Sequence, residues 1–181
     1  MRRLVLLLCS ALLLSGLLAG VADARQAIRG PGYRAYAPSG WTVKKTSSRG
    51  WRTVTIASPQ RAPNRSPVAL VAVATAPIKT IERRLKLGVS DKGVLAQKLI
   101  SIPRDATLLQ VAFGPSPTAL AGARGAVFGV TYNLKGDGTQ HSAAVVQHGR
   151  RIYMLQVVRD QSLSELGSTA ADMVGSTWRW R

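Results

Sequence analysis

The stretch that decides the fold is ARGAVFGVTYNLKGDGTQHSAAVVQHGRRIYMLQVV, residues 123–158. Between Ala123 and Lys135, the residues Ala126, Phe128, Val130, Tyr132 and Leu134 recur at every second position. That period places their side chains on one face of a strand. Gly136-Asp137-Gly138 follows, and residues that accept positive φ reverse the chain there. Thr139 to Gln147 pairs back, His148-Gly149-Arg150 turns again, and Arg151 to Val158 completes an antiparallel meander.

Working upstream, Leu108 to Phe113 adds a strand, and Ser116 to Gly122 reads as a loop. Val68 to Thr75 (VALVAVAT) is apolar at nearly every position, as in a central strand covered on both faces. Tyr33 to Ala37, Trp41 to Lys45 and Trp51 to Ala57 read as earlier strands, separated by turns at Pro38-Ser39-Gly40 and Ser47 to Gly50. Ser58 to Pro67 (SPQRAPNRSP) reads as an exposed loop and carries the glycosylation triplet Asn64-Arg65-Ser66. After Pro77 the pattern becomes helical: Ile81, Leu85 and Gly88 share a face, with Arg83 and Lys86 opposite. Ser90 then caps a second helix carrying Leu95, Leu99 and Ile102. At the far end, Ser162 and Glu165 have capping-box spacing. Leu163, Leu166, Ala170, Met173 and Val174 form the buried stripe of the helix that follows. The predicted fold class is α+β: one antiparallel sheet of about six to eight strands with helices packed on it.

The N-terminus has a different character. Arg2 and Arg3 precede an apolar run from Leu4 to Ala19, and Ala22-Asp23-Ala24 follows. A basic start, a short apolar run and an Ala-x-Ala exit read as a cleaved secretory signal over residues 1–24, leaving a single domain over 25–181. The run is shorter than the roughly 20 residues of a bilayer span. Cys9 lies inside the run rather than at its small-residue end, which argues against lipidation. It is also the only cysteine, so the exported chain has no disulfide, thiol nucleophile or Cys-ligated metal. The expected location is secreted or periplasmic, with no transmembrane segment after cleavage.

Charge is the second unusual property. Without Arg2, Arg3 and Asp23, the 25 basic and 8 acidic residues fall to 23 and 7, a net charge of +16. A field of that sign concentrates anions at the surface. The candidate partner-binding residues are Lys44, Lys45, Arg49 and Arg52 on the early hairpin, with Arg150 and Arg151 at the late turn. Arg83, Arg84 and Lys86 form a second cluster. Aromatic residues interleave with cations at Trp41…Lys44-Lys45, Trp51-Arg52 and Trp178-Arg179-Trp180-Arg181, a mixture that can stack bases or sugars when the rings are exposed. In the tail, alternation would instead bury both Trp and expose both Arg.

Catalytic patterns are sparse. His141 and His148 are seven residues apart on one hairpin, and an odd separation sends them to opposite faces. The carboxylates Glu82, Asp91, Asp105, Asp137, Asp160, Glu165 and Asp172 suggest no acid/base pair. Gly88 and Gly93 have P-loop-like spacing, but Val94 and Leu95 stand where Lys and Ser/Thr belong. The chain contains no Gly-x-Ser-x-Gly elbow. No cofactor, metal site or catalytic residue is predicted.

The element order resembles the PsbP-like superfamily, an α/β/α sandwich that includes a photosystem II extrinsic subunit and bacterial envelope proteins of the DcrB and LpqN type. The residues that carry the resemblance are Pro38-Ser39-Gly40-Trp41 after an aromatic strand, the apolar strand Val68 to Thr75, and Gly122-x-x-Gly125 leading to Phe128. Gly149 to Leu155 around Tyr153 and a closing helix with Ser176 before an aromatic complete it. The resemblance covers roughly residues 31–180 and supplies no catalytic residues. It implies an exported, non-enzymatic envelope binding or accessory protein, here with a basic surface. The expected partner is an anionic envelope component or an acidic protein, and nucleic acid is an unlikely partner in vivo. Other readings are a strict polyanion binder for nucleic acid or acidic glycan, a hydrolase with an unusual site, and a photosystem II-type accessory subunit.

Overall fold

The structure is a computed structural model describing residues 25–62, 66–86, 88, 90–100, 102–134 and 136–181. The leader and the Asn64-Arg65 part of the glycosylation triplet lie outside the described residues.

Among the described residues, ten strands and three α-helices follow in chain order. They are β1 (Gln26–Gly30), β2 (Tyr33–Ala37), β3 (Thr42–Ser48), β4 (Trp51–Ala57), β5 (Ala69–Pro77), α1 (Ile78–Leu85) and α2 (Lys92–Leu99). Then come β6 (Ala106–Leu120), β7 (Ala123–Leu134), β8 (Asp137–His148), β9 (Arg151–Asp160), a 3-10 turn Gln161–Leu163, α3 (Ser164–Ser176) and β10 (Arg179–Trp180). Seven strands form one antiparallel sheet in the order β3-β4-β5-β9-β8-β7-β6. The other three form a small sheet, β1-β2-β10.

The meander organises the large sheet. β5 pairs with β9, inserting the apolar strand at the centre, where its two faces enter two different cores. Val71 and Val73 join Ile28, Tyr33, Val54, Ile56, Tyr153, Val174 and Trp178 in the first core, beneath α3 and the small sheet. Ala74 and Ala76 join Ile81, Leu95, Phe128, Val130, Val145 and Met154 in the second, beneath α1 and α2. Helices therefore cover both sides of the sheet, and one side also carries a second sheet. Burying apolar residues on both faces is the dominant stabilising term for such layers.

Several local expectations are corrected. β1 precedes the first expected strand and pairs with β2 along its whole length. Ser116 to Gly122 is not a loop, because β6 runs unbroken from Ala106 to Leu120 with irregular register between Leu108 and Ser116. Pro115 and Pro117 are tolerated because β6 is an edge strand, where a missing N–H costs no ladder bond. The first helix stops at Leu85, with Lys86 in the left-handed region, so Gly88 lies beyond it. Asp91, not Ser90, caps α2: the Val94 backbone N–H donates to Asp91 Oδ1 at 2.9 Å. Ile102 lies past the end of α2 yet still packs against the second core. Ser162 does not cap α3, since its N–H and hydroxyl both donate to Asp160 Oδ1, at 2.8 and 2.6 Å. In the α3 stripe, Ala170 and Val174 are buried and Met173 is only half-buried.

Candidate functional site

Two tight turns build a cleft on the first-core side of the sheet. Arg49 and Gly50 both have positive φ, 50° and 83°, the pattern of a two-residue type I′ hairpin. This turn fixes the β3–β4 register, with Ser47 opposite Arg52 and Lys45 opposite Val54. Between β1 and β2, Pro31-Gly32 reverses the chain with Gly32 at φ 79°. Tyr153 Oη donates to the Pro31 carbonyl at 3.1 Å and clamps that turn to the large sheet. A Cβ on Gly32 would stand 2.4 Å from Tyr153 Oη, so only glycine fits.

The cleft between these turns has a volume of about 550 Å³. Arg29, Lys45, Ser47 and Arg52 line it, over Tyr33 and Val54, while the neighbouring Thr46 and Thr53 share the opposite face with Lys44. No carboxylate lines it, and among the described residues no ion pair engages any of the three cations. Burial pushes the Tyr33 phenol far above its usual range, and the nearby Tyr153 adds to the shift. Chemically, the cleft offers fixed positive charge and the Ser47 hydroxyl to an anion.

The nine sequence-derived candidates divide among several places. Lys45 and Arg52 meet in the cleft. Lys44, next along β3, points to the other face and pairs with Thr55. Arg49 sits at the exposed hairpin tip. Arg150 is in the β8–β9 turn and Arg151 opens β9 opposite Pro77, at the same end of the sheet as the Arg49 turn. Arg83 and Arg84 occupy the last turn of α1 and Lys86 its C-cap, over the second core. Arg84 and Lys98 border another groove of about 340 Å³ with Trp51 and Met154.

The aromatic residues are not an exposed stacking platform. Trp41 and Trp178 are buried, Trp51 packs against the second core and Trp180 against the first. Trp180 stacks on His148 at 4.1 Å. His148 is the last residue of β8, not a turn residue. His141 is on the opposite face, buried, with no hydrogen-bond partner for Nε2. Burial lowers its pKa to about 4. Among the described residues, no three His, Cys, Asp or Glu gather as a metal site. No described helix is long and apolar enough to cross a membrane.

Arg29 is the cleft residue that sequence reasoning missed, since β1 itself was not legible. One signal could have found it: from Arg25 to Ile81 the chain has ten Lys and Arg and no Asp or Glu.

No protein-family model matches the chain, and no curated protein matches it. Solved structures do. The chain is similar to the solution structure of cyanobacterial PsbP from Synechocystis sp. PCC 6803, with a TM-score of 0.55 and 14% identity over 90% of this chain and 95% of that one. It is also similar to LpqN of Mycobacterium tuberculosis, described as involved in cell envelope biogenesis. There the TM-score is 0.46 and the identity 16%, over 86% of this chain and 90% of that one. The class is therefore defined by fold: an antiparallel PsbP-like α+β domain. The expected resemblance holds at that level.

Proposed function

We propose that this protein is an exported, non-enzymatic accessory domain of the cell envelope that holds an anionic partner in the cleft between the β1–β2 and β3–β4 turns. The observation that carries this reading is the lining: Arg29, Lys45 and Arg52 border one cleft with the Ser47 hydroxyl and no carboxylate. A solvated basic face would not need cations from two separate sheets around one cavity. The leader sequence supports the envelope as the location. The partner class is an anionic envelope component or an acidic protein.

The test is charge reversal. Lys45→Glu with Arg52→Glu should bring forward elution from a phosphate-bearing resin and flatten the salt dependence of retention, because fewer counterions are displaced. Unchanged retention and an unchanged salt slope would overturn the site.

A further inference from the structure

We propose that the outward face of the small sheet is a second, separate surface that docks on an anionic phospholipid bilayer. The inward residues of β1, β2 and β10 are committed to the core: Ile28, Tyr33, Ala35 and Ala37 are buried, as is Trp178 just before β10. The outward positions carry a cross-strand row. Arg29 stands opposite Arg34, and Arg34 stands opposite Arg179. All three are exposed. Strands lie about 4.8 Å apart, so the row spans about 10 Å.

Like charges directly opposite each other on a sheet repel. Nothing nearby relieves this row. Among the described residues none of the three has a carboxylate partner, and the chain carries no acidic residue from Arg25 to Ile81 or after Asp172. Arg179 is held in place by donating to the carbonyls of Ser176 and Trp178, at 3.2 and 2.7 Å. Exposed Arg25 and Arg181 flank the small sheet. A concentration of unpaired guanidinium groups on a rigid support calls for an anion from outside.

Three features favour a bilayer over a protein partner. The row lies on an open sheet face, which suits an extended, laterally uniform surface. Its cations are all arginine, whose planar fork takes phosphate oxygens in pairs. Beside them, opposite Ala27, Tyr36 is 37% exposed, and an amphipathic ring settles at headgroup level. Only Arg29 is shared with the cleft.

The experiment is co-sedimentation of the exported protein with vesicles of phosphatidylcholine alone or with phosphatidylglycerol added. The protein should pellet with the anionic vesicles and not with the neutral ones. A juxtamembrane arginine is worth roughly a five-fold change in binding, so Arg34→Gln with Arg179→Gln should weaken it about 25-fold. The same pair removes cross-strand repulsion, so its thermal midpoint should not fall. Lys45→Glu with Arg52→Glu should leave most vesicle binding intact, which separates this surface from the cleft. The proposal is overturned if the arginine variant pellets like the parent protein, if neutral vesicles bind equally well, or if polyglutamate binds while anionic vesicles do not.

Discussion

Tyr33 and Trp178 lie face to face, with ring centroids 4.3 Å apart and planes 7° from parallel. Tyr153 meets both rings edge-on at 6.1 Å. These three side chains join β2, β9 and the segment after α3, so the first core and the small sheet stand or fall together. Tyr33, Tyr153 and Trp178 are all almost fully buried.

Trp178→Ala should therefore destabilise the protein by about 3–5 kcal/mol, the range for removing a large buried aromatic. Thermal or denaturant unfolding measures this directly. A loss below about 1 kcal/mol would mean that the stack is not part of the core.

Gly125 should be nearly irreplaceable. It lies in β7, and a Cβ there would be 1.9 Å from the Val145 carbonyl oxygen. Backbone cannot move aside as a flexible side chain can, so Gly125→Ala should cost more than about 3 kcal/mol or prevent soluble expression. Gly40 has a φ of +74° with nothing within 4 Å of its virtual Cβ. Gly40→Ala should cost only the backbone strain, about 1–2 kcal/mol. Comparing the two chemical-denaturation midpoints distinguishes them.

His141 should make the fold acid-sensitive. Burial lowers its pKa in the folded state from 6.5 to about 4. The unfolded chain takes up that proton as the pH falls through about 6.5, while the folded chain does not until about 4. The stability held above the upper value is then lost progressively toward the lower one, by roughly 3 kcal/mol at most. His141→Phe should flatten this part of the stability profile. Urea unfolding of both proteins at neutral and acid pH reads the difference.

Lys44 and Lys45 are neighbours with opposite destinations. If the cleft is the binding site, Lys45→Glu should weaken anion binding several-fold, while Lys44→Glu should change it less than two-fold, through long-range charge alone. Equal effects would point to diffuse charge rather than a site. Titration with a multivalent phosphate ligand at fixed ionic strength provides the measurement.

Much of the fold was legible because period-two alternation is hard to mistake. Ala126, Phe128, Val130 and Tyr132 announced β7, and the run around Val71 and Val73 announced a strand buried on both faces. β1 was hidden because Ile28 is its only buried residue. β6 was cut short because Pro115 and Pro117 look like loop residues until the strand is known to lie at an edge. The site was only half visible. Lys45 and Arg52 are close in sequence and were singled out for their charge. Arg29 and Arg34 were not, and Arg179 was noted only within the aromatic tail, because their alignment depends on an illegible β1 and on β2 pairing with a strand far along the chain.

That late pairing has a consequence for how the protein is made. The Tyr36 amide reaches the Thr177 hydroxyl across 141 positions, and β10 follows immediately. A polypeptide emerging N-terminus first must hold its early strands unsealed until nearly all of these residues have been supplied, and such distant closure is slow. The delay keeps the chain threadable until nearly its whole length is available to close the small sheet.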